Sequence, residues 1–551
     1  MRRNVRLFWM LMLVFVFLTS ACSPAGNNTE SSQNEGIVTV EENMTEPGSF
    51  PIVKEKVTLK VLIRGASGVD FDTNTFTKWY EEKTNVHIQF EVAPENGFEE
   101  TLNLALASGN YPDMIIGMEI KPATEMLYGK SGTFLPLNDM IEKYGVNMKK
   151  IFDEKPLVQQ VITAPDGNIY SVPDIGECFH CDYAKRMWIN KTWLDNLGLK
   201  MPTTTEEYYN VLKAFKTQDP NGNGKADEIP LAGAVGGWNT EIEGFLMNSF
   251  IYNPMGSTQT GMMLDQGKVV AAFIQDPWKE GLAYMKRLYS EGLIAPETFT
   301  QDNAQYRQMG EGGDAPRVGS CPGGLYGCTA YGQERYKEYV ALPPLAGPDG
   351  TRIAWTNPYE GITSGRIVIT NNSKYPEVAF RWADGLLDGG EVSLRSDTGT
   401  MGEYWDWAEE GTGINGKPAV WEKLKEKTAD SNVGWQTRAP RYYPADLRLG
   451  EKRNDEFPLE VILFEAAKQY EPYKADSSLV IPPLFYDEEQ AAELVNLEKT
   501  IIDYKKEMLA RFITGDADLE SEWGTYVDTM NQMGLERYSQ IIQEAYDASQ
   551  K

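Results

Sequence analysis

The chain has 551 residues, 41% hydrophobic and 11% aromatic, with 52 Lys and Arg against 80 Asp and Glu for a net charge of −28. That is material for two or three packed lobes, and its acidity argues against nucleic acid, because phosphate binding requires clustered Lys and Arg. Its only histidines are His87 and His180, and with no nucleophile elbow, HExxH or phosphate loop there is no spacing signal for catalysis.

Arg2, Arg3 and Arg6 precede an apolar run from Leu7 to Leu18 and then Thr19-Ser20-Ala21-Cys22. Residues 1–21 read as a signal peptide, since the run falls short of the roughly 20 residues that span a bilayer. Small residues directly before Cys22 resemble a bacterial lipobox, with Thr19 where Leu is usual, so we expect Cys22 to be the acylated first residue of the mature chain. Ordinary secretion with a free Cys22 thiol is the alternative. Two or more acyl chains anchor stably where one does not. Residues 22–52 are polar and acidic, and we expect a disordered tether with a reach of roughly 30 Å.

Val57, Leu59, Val61 and Ile63 alternate with other residues as a strand does. A helix over 76–82, a second strand in VHIQFEV, a helix carrying Phe98, Leu102, Ala105 and Leu106 that stops at Gly109, and a third strand from Tyr111 to Ile116 come next. This βαβαβ order predicts a parallel sheet with ligands at the carboxyl ends of its strands. Further on, 135–144 reads as helix and 168–173 as a short strand. Thr204 and Glu207 have the spacing of a capping box, ahead of a helix with Tyr208, Val211, Leu212 and Phe215 on one face.

That helix runs into DPNGNGKADEIP. Asp219, Asn221, Asn223, Lys225 and Asp227 occupy alternate positions with Gly224 at the sixth and Glu228 at the tenth. This is calcium spacing: a hard cation takes six to eight oxygens, and a tightly curling loop lets alternate side chains converge. Lys225 could offer only its carbonyl. Position twelve is Pro230 where an EF-hand has its bidentate Glu, and an extended run replaces the second helix, so the loop is EF-like without the EF-hand fold. An Asx-rich turn without metal is the plainer alternative.

A helix with Trp278, Leu282, Met285 and Tyr289 is next, the glycines from 310 to 332 predict loop, 366–370 reads as strand and 378–387 as helix. The block from Glu488 is helical, and a last helix carries Ile541, Ile542 and Ala545. Cys178, Cys181, Cys321 and Cys328 should be oxidised outside the cell; they permit three pairings among which sequence does not choose, the two local bridges being favoured. A redox or zinc role for Cys178-x-x-Cys181 finds no supporting context.

If the ligand is a sugar, its flat C–H face stacks on aromatic rings. Trp193 and Trp278 read as core. Trp238, Trp355, Tyr404, Trp405 and Trp435 stand in Gly-rich or polar surroundings typical of loops, and Tyr170 stands at a predicted strand end that should face a cleft. Arg395, Arg438 and Arg441 could grip a uronate carboxylate in bidentate fashion, the plainer reading being surface ion pairing.

The lipobox, LASGNYPDMI, GNIYSVP, the run WINKTWLDNLGLKMPTTTEEYYNVLKAFKTQDPNGNGKADEIP, DPWKEGLAYMKRLYSEGLIAPE and IIQEAYD together resemble the family-one extracellular solute-binding proteins of ABC importers. The likeness is to the large calcium-containing oligosaccharide binders such as alginate-binding proteins. Asn190 and Thr192 stand where Arg and Asp are more usual. The resemblance implies an α/β, two-lobe, type II periplasmic-binding-protein-like fold with discontinuous lobes and extra C-terminal helices. We expect lobe 1 over 53–180 plus 312–370, and lobe 2 over 181–311 plus 371–551 with the calcium loop 219–228. It also implies a monomeric, non-catalytic lipoprotein on the outer face of the cell membrane, delivering oligosaccharide to an ABC permease, with structural Ca2+ on Asp219, Asn221, Asn223, Lys225, Asp227 and Glu228. Tyr170, Trp238, Trp355, Tyr404, Trp405, Trp435 and Arg441 are the candidate sugar contacts. A surface glycoside hydrolase or lyase, and a receptor for a peptide or other small solute, are the competing readings.

Overall fold

The computed structural model describes residues 40–254, 260–330, 332, 334–428, 431–436 and 438–550. The expected signal peptide and Cys22, with the tether up to residue 39, lie outside them.

Lobe 1 is built on a six-stranded sheet. The alternating residues of Val57–Arg64 are buried, and because Leu62 on the opposite face is also covered this is a central strand. It pairs in parallel with Val86–Ala93 on one side and Met114–Ile116 on the other. The helices Thr75–Thr84 and Phe98–Ser108 make the crossovers. Asn74 caps the first by accepting from the Phe76 and Thr77 amides, and Gly109 ends the second in the left-handed region. Ile362–Ile369 enters antiparallel beside Met114–Ile116, followed outward by Val172–Gly176 and Tyr442–Tyr443.

Lobe 2 holds a four-stranded sheet in the order Tyr339–Leu342, Met187–Asn190, Val318–Pro322, Ile229–Leu231. Helices Thr205–Thr217 and Asp276–Ser290 cover it, and the C-terminal helices Glu488–Thr514, Leu519–Gln532 and Leu535–Ser549 extend the same core with Ile501, Phe512, Tyr538 and Ile541. Crossings at 177–186, 343–361 and 450–458 join the lobes.

Three expectations are corrected. Residues 40–52 are not free tether: Ile52 and Val53 are buried, Met44 bridges to Val53, and the buried Arg381 guanidinium donates to the carbonyls of Thr45, Glu46 and Ser49. The glycine-rich 310–332 region contains a fully buried strand, Val318–Pro322, because Gly319 is what lets it lie against the Phe215 ring, 2.4 Å from where a Cβ would stand. That strand and Tyr339–Leu342 pair within lobe 2, so the second segment of lobe 1 starts near 362, not 312. Conversely, Pro376–Gly385 and Glu391–Asp397 bury Val378, Phe380, Trp382 and Val392 in lobe 1, which keeps the chain there to about residue 449.

Candidate functional site

The loop after Thr205–Thr217 is shaped by its own side chains. Thr204 caps the helix by accepting from the Glu207 amide (3.1 Å), while the Glu207 carboxylate reaches back to the Thr203 amide (2.8 Å). Beyond it, Asp219, Gly222 and Gly224 take positive φ of 46°, 68° and 72°, which curls the chain around the Asp219 carboxylate. The amides of Asn223 and Gly224 donate to that carboxylate at 3.1 and 3.0 Å. Side-chain amides of Asn221 and Asn223 point at Asp227 Oδ1, at 3.4 and 3.0 Å. Asn223 holds the Asp227 carboxyl low, whereas burial, with Asp219 and Asp227 alongside, raises that of Glu228. Glu228 Oε1 is buried without a hydrogen-bond partner among the described residues. A cluster of hard oxygens with a buried unpaired carboxylate oxygen fits a divalent cation, which would neutralise what the protein leaves unsatisfied.

The aromatic candidates separate by burial. Trp435 is fully enclosed in lobe 1, edge-on to Phe71, Phe76 and Phe90, with its indole N–H on Thr77 Oγ1 at 2.7 Å. Tyr170 packs over Gly129 and donates to Asp166 at 2.7 Å. Trp405 and Tyr404 form a small core with Trp421 in the insert after residue 398, the Trp405 indole N–H bonding the Gly399 carbonyl at 2.8 Å. These four are packing residues, contrary to expectation: Gly129 and Gly399 lie close against the Tyr170 and Tyr404 rings and Gly434 against the Ser396 carbonyl, so the glycines here mark tight packing and not an open loop. Trp355, on the second crossing, is buried beneath the Lys185 ammonium (5.1 Å from the ring), and its indole N–H lacks a hydrogen-bond partner among the described residues. Arg441 pairs with Asp397 and Asp174, which is the ion-pairing reading; Arg395 pairs with Glu391 and Arg438 with Glu95.

Only Trp238 among the six is exposed, at 54%. It comes after Ile229–Leu231, whose carboxyl end faces the crossings, as does the 323–330 loop after Val318–Pro322. Loops at the carboxyl ends of α/β strands are where ligands bind. Gly324 lies under the Trp238 indole, and Lys185 from the first crossing donates to Asn239 Oδ1 at 2.8 Å. On the lobe 1 side, the loops after Val57–Arg64 and Met114–Ile116 are held by Arg438, which donates to the Gly65 carbonyl (3.0 Å) and pairs with Glu95 (2.9 Å). Gln436 donates to the Ser67 carbonyl at 3.1 Å. Gly117 has φ 65° and sits so near the Arg438 carbonyl that a Cβ would be 2.9 Å from it. Lys185, Asn239, Gly324 and Gln436 were missed at the sequence level; the signal that could have pointed to the segment 232–243 is the extended run after the 219–228 loop, which the structure shows to be the strand Ile229–Leu231.

The four cysteines form the local bridges Cys178–Cys181 and Cys321–Cys328. The first sits on a crossing and the second closes the 321–328 loop beside Trp238.

The family model for bacterial extracellular solute-binding proteins matches residues 65–388. The fructooligosaccharide ABC transporter substrate-binding protein FusA of Streptococcus pneumoniae serotype 4 is 30% identical over 91% of this chain and 92% of its own. Its solved structures, one in complex with kestose and one an EF-hand mutant in complex with fructo-nystose, each superpose with TM-score 0.71 at 28% identity, over 90% of this chain and 99% of theirs. The alginate-binding protein AlgQ2, solved without calcium ion, shares the fold at TM-score 0.64 and 22% identity, over 91% of this chain and 100% of its own.

Proposed function

The chain belongs to the bacterial extracellular solute-binding protein family, and from that premise we propose that it captures oligosaccharides outside the cell and delivers them to an ABC permease. The observation that carries this beyond the family is Trp238, a large aromatic ring left exposed at the carboxyl end of a lobe 2 strand, where stacking on a sugar would cover it. Likeness to FusA over nearly its whole length supports a fructooligosaccharide or similar neutral chain as ligand. Arg438, Gln436, Lys185 and Asn239 would satisfy hydroxyls around the ring.

The binder works without chemistry on its ligand. It is a monomeric lipoprotein held at the cell membrane through an acylated Cys22. No helix among the described residues is long and apolar enough to cross a membrane. Calcium at Asp219, Asn221, Asn223, the Lys225 carbonyl, Asp227 and Glu228 braces lobe 2 away from the ligand, a reading supported by the unpaired Glu228 oxygen and by an EF-hand in FusA. Incubating the protein with a panel of neutral and acidic glycans tests the reading: the glycans are recovered intact while tryptophan fluorescence changes saturably. Cleaved products, or no response from any glycan, refute it.

A further inference from the structure

The first crossing carries the Cys178–Cys181 bridge with His180 between its two cysteines. The His180 ring is buried, 4% exposed, and holds Nε2 3.4 Å from Cys178 Sγ. A sulfur and a nitrogen on one tetrahedral zinc ion, at about 2.3 and about 2.0 Å from the metal, stand roughly 3.6 Å apart. The ring and the sulfur therefore already have the separation of two ligands that share a metal. The other ring nitrogen, Nδ1, lies 3.5 Å from Glu460 Oε2 on the Leu459–Tyr470 helix. A carboxylate behind Nδ1 fixes the tautomer of a metal-bound histidine and leaves Nε2 to ligate. The buried Arg186 guanidinium holds the turn from behind, donating to the His180 carbonyl and, through Nε, to that of Tyr183 at 3.1 Å. The ligand atoms of Cys178, His180 and Cys181 all lie within 4.8 Å of one another. Glu460, which folding brings from a distant segment, supplies the context that the Cys-x-x-Cys spacing lacks in the sequence.

The two bridges differ in reach. Cys321 and Cys328 are 1% and 0% exposed, whereas Cys181 is partly exposed and a cavity of about 480 Å3, lined among others by Glu177, Cys178, Asp182 and Gly361, opens beside the first bridge. A bridge between residues only three apart also removes little freedom from the unfolded chain, so opening it leaves the fold intact. We propose that the reduced Cys178-Phe179-His180-Cys181 turn is a zinc site, so that this crossing holds either a disulfide or a metal ion. The reductant is a dithiol. One of its thiolates attacks Cys181 Sγ, the S–S bond breaks, and Cys178 leaves as a thiolate whose charge the Cys181 amide, 3.2 Å from Cys178 Sγ, stabilises. The second thiol then displaces Cys181, so two electrons pass to the protein pair and the dithiol ends as its own disulfide. Rotation about the Cα–Cβ bonds parts the sulfurs to the roughly 3.8 Å that two thiolates on one zinc require. Zinc binds both thiolates and His180 Nε2, releasing the protons the thiols carry, and a water from the cavity takes the fourth position. The zinc site is independent of what the cleft binds.

The test treats the folded protein with a dithiol, removes it without air, and maps free thiols by alkylation and mass spectrometry. Of the four bridge cysteines, Cys178 and Cys181 are expected to be labelled and Cys321 and Cys328 spared. Cobalt(II) added to the reduced protein should give a thiolate-to-cobalt charge-transfer band that saturates at one ion per chain, is absent from the oxidised protein and is erased by zinc. Zinc should also protect Cys178 and Cys181 from alkylation, and X-ray absorption of the zinc form should show two sulfurs at about 2.3 Å and a nitrogen at about 2.0 Å. Glu460→Gln, at a partly exposed side chain, is expected to weaken zinc binding roughly tenfold to a hundredfold while the bridge and the melt of the oxidised protein stay unchanged. His180→Ala should keep the bridge and weaken zinc further still. A bridge that opens only when the protein unfolds, a reduced protein without the cobalt band, or zinc affinity unchanged in both variants overturns the site.

Discussion

Gly324 gives its side-chain space to the indole of Trp238: a Cβ there would come within 2.6 Å of the ring, and the Gly324 amide donates to the Trp238 carbonyl at 3.0 Å. The ring is therefore held flat against one loop of lobe 2 with its other face open. Trp238→Ala is expected to weaken oligosaccharide binding roughly tenfold to a hundredfold, with a stability change within about 1 kcal/mol because the side chain is half exposed. Gly324→Val should weaken binding in the same direction by displacing the indole. Calorimetry paired with thermal melts checks both.

Trp435 predicts the opposite pattern. Fully enclosed among Phe71, Phe76 and Phe90 and bonded to Thr77, its replacement by Ala leaves a cavity in lobe 1 and should cost about 3–5 kcal/mol of stability. Ligand affinity of the folded fraction should not change. Denaturant unfolding set beside a binding isotherm at low temperature separates the two effects.

The contrast between these tryptophans shows how far sequence reading reached. Period-two and helical patterns located the first three lobe 1 strands and their crossovers, because burial there repeats along the chain, while the strand expected over 168–173 stands at Val172–Gly176; the candidate cation loop was legible because its oxygen-bearing residues are sequential. The proposed sugar site was not. Trp238 and Trp435 both stand beside glycines in polar company, and what distinguishes them is how far distant segments cover the ring: residues 71–90 and Trp382 enclose Trp435, whereas Trp238 lies against Gly324 and stays 54% exposed. Lobe boundaries failed for the same reason, since Val318–Pro322 belongs to lobe 2 only through its pairing with Met187–Asn190.

Glu125 should make stability fall with pH. Burial pushes its carboxyl from 4.5 up to about 7, partly opposed by Ser171 and Ser364, and Oε1 has no hydrogen-bond partner among the described residues. A folded-state pKa above the unfolded one means the contribution is present in full below about pH 4.5 and gone once the pH has risen through about 7. Glu125→Gln should flatten that part of the profile, by on the order of 3 kcal/mol between pH 4.5 and 8. Melts of both proteins at one-unit pH intervals read the difference, and parallel curves would remove Glu125 as the source.

Calcium removal should loosen the protein without unfolding it. At about ten times its dissociation constant a ligand stabilises by roughly 1.4 kcal/mol, so chelation is expected to lower the melting temperature by a few degrees and leave oligosaccharide binding in place. Asp219→Ala should abolish the response to calcium. Differential scanning calorimetry with and without chelator, beside elemental analysis of the purified protein, checks this.

The most direct measurement of the central claim is a calorimetric titration of kestose into the wild type and into Trp238→Ala, with the sugar recovered and analysed afterwards. One saturable site, much weakened in the variant, with the sugar recovered unchanged, is the result expected of a two-lobed binder that stacks its ligand on Trp238. Binding undiminished in the variant, no heat at all, or cleaved sugar would contradict it.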